Sequence, residues 1–132
     1  MFYIFLFNST SANNKVYEEG SIKGRDFIVY FKNGDAEITK EGEEVLKLAV
    51  NYADKSKLNN IIVSGYTDTV GGYIYNLKLS RSRTVRVSNW IINSSLSKKN
   101  ISLKWFGEGK LILPTPDDTP EPLNRCVVIV VS

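Results

Sequence analysis

The chain has no histidine, a single cysteine and a single methionine among its 132 residues. Without histidine the commonest general base and the usual zinc ligand are missing. One cysteine allows neither an intrachain disulfide nor a thiolate metal cluster. Cys126 also sits in the apolar run Cys126-Val127-Val128-Ile129-Val130-Val131, where a buried, inert thiol is expected rather than a nucleophile. A histidine-based catalytic set, a zinc or thiolate metal site and a cofactor are therefore not expected. No apolar run is long enough to span a bilayer as a helix. Met1-Phe2-Tyr3-Ile4-Phe5-Leu6-Phe7 is the candidate that comes to mind, and it is too short. It lacks the basic flank of a secretory signal, although Ser9-Thr10-Ser11-Ala12 would suit a small-residue cleavage site. Remnant of an export signal, added strand and apolar docking arm remain open readings of it. The charge excess is small, 17 basic against 14 acidic residues. A net charge of +3 gives weak attraction to nucleic acid, and no partner of that class is expected.

What the chain does contain is ordinary for one globular domain: 42 % hydrophobic and 23 % charged residues at a length that buries one core. Residues 1–26 read as an arm or lead-in and residues 27–132 as the domain. Phe27-Ile28-Val29-Tyr30-Phe31 is short, β-branched and aromatic, hence a strand. Thr39 is a candidate N-cap, with Glu41, Glu43 and Glu44 complementing the helix dipole. Val45, Leu46, Ala49, Tyr52 and Ala53 then repeat at helical spacing.

Ile61 to Tyr66 is a second strand. Beyond a small-residue loop from Thr67 to Gly72 comes a second helix, with Ser80 as candidate cap of its main segment. Thr84, Val87, Ser88 and Ile91 form its inward stripe, with Arg83, Arg86 and Trp90 on the neighbouring face. Ile101 to Phe106 alternates as a third strand. Residues 107–124 hold all four prolines and cannot be regular helix or central strand. The apolar run from Cys126 is the fourth strand. The order β-α-β-α-β-β implies an α/β sandwich, two helices on a mixed four-stranded sheet.

Asp68 follows a strand in the loop that feeds a helix, where open α/β sheets place ligand sites. Arg83 lies early in that helix on this reading. If the loop folds back, one carboxylate and one guanidinium share a pocket suited to a zwitterion. The carboxylate takes an ammonium and the guanidinium a carboxylate, aided by backbone N–H groups near Ser80. The bland alternative is an Asp68–Arg83 ion pair that merely pins the loop. Gly71-Gly72 lacks the Lys-Ser or Lys-Thr of a phosphate loop. Lys78, Arg81, Arg83 and Arg86 could form a nucleic-acid patch, but a solvated helix face is the usual alternative and explains Arg81 best. Trp90 and Trp105 read as core or interface aromatics.

The same stretch resembles the signature of the OmpA-like family. That pattern has glycine, histidine or tyrosine, threonine and aspartate, then spaced glycine, asparagine, leucine-serine, arginine-alanine and valine. Gly65, Tyr66, Thr67, Asp68, Gly71, Asn76, Leu79, Ser80, Arg83 and Val87 match it at fixed spacings. Phe31, Ile38-Thr39, Gly107-Glu108 and Asn124-Arg125 extend the likeness to about residues 27–132. The chain departs from the pattern at Thr84 (usually alanine), Cys126 (commonly a second arginine) and Lys32 (usually acidic).

The resemblance implies non-covalent binding of peptidoglycan in the periplasm or cell envelope, in association with the outer membrane or not. Asp68 would take the side-chain ammonium of diaminopimelate in the stem peptide and Arg83 its carboxylate. Thr67, Asn76 and Leu79 would line the pocket and Arg125 reach its rim. An alternative keeps the fold but makes it an assembly module, homo-oligomeric or bound to envelope proteins, with residues 1–26 and Leu111–Leu113 as contacts. How it is tethered to a membrane stays open.

Overall fold

A computed structural model describes residues 24–94 and 99–132. The expectations for the apolar N-terminal stretch lie outside the described residues. Strand β1 (Arg25–Tyr30) leads to helix α1 (Lys40–Lys55), β2 (Asn60–Gly65), α2 (Tyr73–Ile92), β3 (Asn100–Trp105) and β4 (Cys126–Val131). A 3-10 turn, Pro122–Asn124, precedes β4. The element order and the two helices on a mixed four-stranded sheet are those read from the sequence. The first strand also takes in Arg25 and Asp26, which the sequence reading left in the lead-in.

The sheet order is β1-β4-β2-β3. Strand β4 runs antiparallel to both neighbours, and β2 pairs parallel with β3 across the helical crossover. The central place of β4 explains its unbroken apolar composition. Both its faces are covered, so five of its six residues are buried and alternation has no purpose. Val127, Ile129 and Val131 join Phe27, Val29, Phe31, Ile61 and Val63 in the core beneath the helices. Leu46, Ala49 and Ala53 of α1 and Val87 and Ile91 of α2 close that core from above.

Local chemistry starts and stops these elements as the residues suggest. The Thr39 Oγ1 accepts from the Gly42 N–H at 3.0 Å, and Glu41 and Glu43 occupy the first turn of α1. Helix α2 differs from expectation. It begins at Tyr73 with Gly72 as its cap and no capping side chain, and the Asn76 N–H already donates to Gly72 O at 3.0 Å. Ser80 is therefore mid-helix, and its neighbouring N–H groups are spent within the helix rather than offered to an anion. The true start was hidden because Tyr73, Ile74 and Tyr75 are aromatic or β-branched residues with little helical preference.

Helix α2 lies unusually close to β2. A Cβ on Gly65 would collide with Thr84 Oγ1 and stand 2.5 Å from Ser80 O, so only glycine admits the helix at this depth. Thr84 uses that proximity: its Oγ1 donates to Ser80 O at 2.8 Å and reaches Lys104 O at 3.3 Å. Where the family pattern has alanine, this chain fills the space with a satisfied hydroxyl.

Candidate functional site

One end of the sheet collects four segments. β1 and β2 end there, β3 ends there because it is parallel to β2, and β4 begins there because it is antiparallel. The loops at residues 31–35, 66–72, 106–108 and 121–125 thus meet at one edge. Backbone bonds fasten them: Phe31 N to Arg125 O, Tyr66 N to Cys126 O and Thr67 N to Gly107 O, each 2.9 Å. Side chains do the rest. Ser80 Oγ accepts from Gly107 N at 2.8 Å, and Asn124 holds Leu113 by both its N–H (2.8 Å) and its carbonyl (2.9 Å). Thr69 Oγ1 donates to Pro116 O and accepts from Thr119 N, docking the proline-rich loop onto the edge.

A cavity of about 200 Å³ opens in this edge, and Asp68, Tyr75, Asn76, Leu79, Arg83 and Arg125 line it. Of the residues singled out from the sequence, five are brought together there. Thr67 is not. It is buried behind the cavity, with its Oγ1 donating to Asp68 O at 2.9 Å. Lys32 does not line this cavity either; its side chain is exposed and only its carbonyl takes part in the site.

Asp68 is only 3 % exposed, and three donors meet its carboxylate. Val70 N donates to Oδ1 at 3.2 Å, while Glu121 N (3.1 Å) and Arg125 Nη1 (3.2 Å) donate to Oδ2. The ion pair of Asp68 is thus with Arg125 and not with Arg83, which corrects the pairing considered from sequence. Arg125 is fixed further by its Nε, which donates to Phe31 O at 3.2 Å. Its side chain keeps 16 % exposure, against 4 % for that of Asp68.

Arg83 is the largest fully buried side chain among the described residues. It rises from the middle of α2, not from a first turn. Nε donates to Asp35 O at 2.9 Å, Nη1 to Tyr66 O at 3.0 Å and Nη2 to Lys32 O at 3.1 Å. Its Cζ lies 5.1 Å from the centre of the Phe31 ring. Burial pushes the guanidinium down to about 10, against partial relief from Cys126 and Asp68. A guanidinium has five N–H donors. One on each terminal nitrogen therefore remains without a partner among the described residues, and Arg83 is one of the residues that line the cavity.

Asn76, 1 % exposed, ties the opposite wall, donating to Val70 O at 2.9 Å and Glu108 Oε1 at 2.8 Å. Leu79 supplies an apolar patch on the same helix. Sequence reasoning missed three contributors. The Glu121 N–H is a backbone group with no sequence signal, and Asn124 is a local clamp across a long loop. Tyr75 announces itself only as an aromatic next to the motif asparagine.

Two guanidiniums and one carboxylate around a cavity with an apolar side suit a ligand carrying both charges, with anionic charge in excess. Residues 30–125 match the OmpA family. The chain belongs to that family. An outer membrane protein of Gluconacetobacter diazotrophicus is 29 % identical over 112 residues, covering 80 % of this chain and 30 % of that protein. The chain thus spans less than a third of the length of this curated relative. Among solved structures, the OmpA-like domain of FopA1 from Francisella tularensis has a TM-score of 0.73 at 24 % identity, covering 87 % of this chain and 76 % of that one. The peptidoglycan-associated lipoprotein from Burkholderia pseudomallei has a TM-score of 0.68 at 22 % identity, covering 80 % and 90 %. These likenesses establish the OmpA-like fold. As a member of this family the chain is a cell-envelope domain, periplasmic or associated with the outer membrane.

Proposed function

We propose that this domain binds peptidoglycan non-covalently by the free end of a stem peptide, anchoring the envelope protein that carries it to the cell wall. OmpA-like domains are structural and binding modules, associated with peptidoglycan in envelope proteins, rather than enzymes. The observation that carries the reading is the 200 Å³ cavity that gathers Asp68, Arg83 and Arg125. Diaminopimelate ends in an ammonium and a carboxylate on one carbon. The ammonium goes to Asp68, whose Oδ1 accepts only Val70 N among the described residues. The carboxylate goes to the remaining N–H groups of Arg83, with Arg125 at the more exposed side. Asn76 holds the wall and Leu79 meets the methylene chain. Thr67 acts from behind by fixing the Asp68 backbone.

The test is a calorimetric titration with a diaminopimelate-containing stem peptide beside its lysine counterpart, which lacks the distal carboxylate. The diaminopimelate peptide should bind at least tenfold more tightly, because its absence in the competitor leaves buried guanidinium donors unpaired (about 10-fold or more per lost polar contact). Asp68→Asn should abolish binding of both. Equal affinity for the two peptides would sink the clamp.

A further inference from the structure

Tyr75 stands in the first turn of α2, lines the cavity, and is nevertheless 54 % exposed. Two glycines make its place. Gly34 and Gly71 both have positive φ, 68° and 92°. The Tyr75 Cδ2 lies 3.5 Å from the point where a Cβ on Gly71 would stand, and its hydroxyl 3.6 Å from the equivalent point on Gly34. The ring therefore spans from the 66–72 loop to the turn at residues 32–35, across the mouth of the cavity. Among the described residues its hydroxyl has no hydrogen-bond partner, so hydrogen bonding within the protein does not account for its position.

Resting on the peptidoglycan reading above, we infer that Tyr75 is the specificity-determining wall of this pocket. Its ring packs on the methylene chain of the clamped diamino acid and screens the ammonium and carboxylate contacts from water. Two physical effects follow from one ring. Methylenes leave water against a rigid aromatic face that loses little entropy on binding. Charge contacts gain strength because solvent and mobile ions are kept away from them. The second effect acts most on the ligand with more charge to clamp, so the ring selects a side chain that ends in both groups over one that ends in an ammonium alone. Neither effect uses the phenol oxygen.

The experiment compares Tyr75→Ala, Tyr75→Leu and Tyr75→Phe with the unaltered domain, titrating diaminopimelate and lysine stem peptides at low and high salt. Tyr75→Ala should weaken the diaminopimelate peptide by on the order of tenfold, roughly two buried methylenes' worth. It should weaken the lysine peptide less, reduce the preference between them, and steepen the loss of affinity with salt. Tyr75→Phe should stay within about twofold of the original by the same area argument. Tyr75→Leu should fall between. A merely structural ring would lower thermal stability without changing peptide preference or salt slope. Tyr75→Ala with preference and salt slope unchanged overturns the inference, as does Tyr75→Phe losing as much as Tyr75→Ala. The underlying reading fails separately: the unaltered domain would then bind neither peptide, or Asp68→Asn would bind as well as the original.

Discussion

Replacing Arg83 with alanine should destabilise the domain by about 3 kcal/mol, quite apart from any ligand. Its three hydrogen bonds, to the carbonyls of Lys32, Tyr66 and Asp35, join a charged donor to buried acceptors. Bonds of that kind contribute roughly 1.5–3 kcal/mol each, so the gross loss is about 4–9 kcal/mol. Against it stands the cost of holding the charge out of water. Burial brings the guanidinium down to about 10 from 12.5, which at about 1.4 kcal/mol per pH unit is a penalty of about 3–4 kcal/mol that the alanine form escapes. Subtracting it leaves about 1–5 kcal/mol, and wetting of some freed carbonyls through the adjoining cavity keeps the net loss out of the upper part of that range, at about 3 kcal/mol. For a domain of this size each kcal/mol moves the melting temperature by about 4 °C, so a fall of about 12 °C is expected. Differential scanning calorimetry on the alanine variant checks it. Arg81→Ala serves as control, since Arg81 is exposed and lies only over the Trp105 ring at 5.4 Å; a change of less than about 0.5 kcal/mol is expected there. An Arg83→Ala domain melting within about 3 °C of the original, under 1 kcal/mol at that scaling, would refute the reasoning. The practical consequence is that lost peptidoglycan binding in this variant says nothing about a direct contact unless its folded fraction is measured alongside.

Other expectations follow from the same geometry. Gly65→Ala should lower stability by several kcal/mol, of the order of severe overpacking (about 1–3 kcal/mol or more), because the new methyl would meet Thr84 and the Ser80 carbonyl; urea unfolding reads this directly. Cys126 is 1 % exposed and burial pushes its thiol up to about 12, so the native protein at pH 8 should resist a thiol reagent that labels the unfolded chain at once. Burial also pushes the Asp26 carboxyl up to about 6, which means the protonated group favours the folded state. That contribution is full below about pH 4 and is lost as pH rises through 6, so Asp26→Asn should flatten the stability profile between those values and gain on the order of 1 kcal/mol at pH 7, allowing for solvent screening.

Periodicity and composition carried the architecture because each element buries one continuous face. The stripe Thr84, Val87, Ser88, Ile91 is buried along its whole length, as its spacing implies. The unbroken run from Cys126 could only be a strand covered on both sides. The start of α2 was illegible for a physical reason. Gly72 caps it through backbone geometry alone, and nothing in Tyr73-Ile74-Tyr75 favours a helix before tertiary contacts do. That error propagated to Arg83, moved from a first turn to the middle of a buried helix. It also concealed which cation Asp68 would pair with. The distance from Asp68 to Arg125 in sequence offers no periodic cue; the antiparallel placement of β4 beside β2 brings them together.

The motif residues divide by the work they do, and the division bears on function. Gly65, Ser80 and Arg83 are committed to the scaffold: close helix approach, the hold on Gly107, and three loop carbonyls. Asn76 is largely committed too, through Val70 and Glu108. A domain that had given up peptidoglycan for protein partners would need every one of these to keep its sheet edge assembled. Retention of the motif therefore follows from folding as much as from binding. A test of the ligand therefore belongs at residues whose side chains the scaffold can spare. Among the described residues the half-exposed Tyr75 has no partner for its hydroxyl, and the Arg125 guanidinium leaves N–H groups over after Phe31 and Asp68. Arg125→Gln thus makes the complementary case. It removes one of two pocket cations while leaving Arg83 in place, and should cost roughly 1.5–3 kcal/mol in stability, because the buried Asp68 carboxylate loses its charged donor and keeps its two backbone N–H donors. Affinity for the diaminopimelate peptide should nonetheless fall about tenfold or more, as one charged contact to the carboxylate is lost. Unchanged affinity in a stable Arg125→Gln domain would show that Arg83 alone holds the anion.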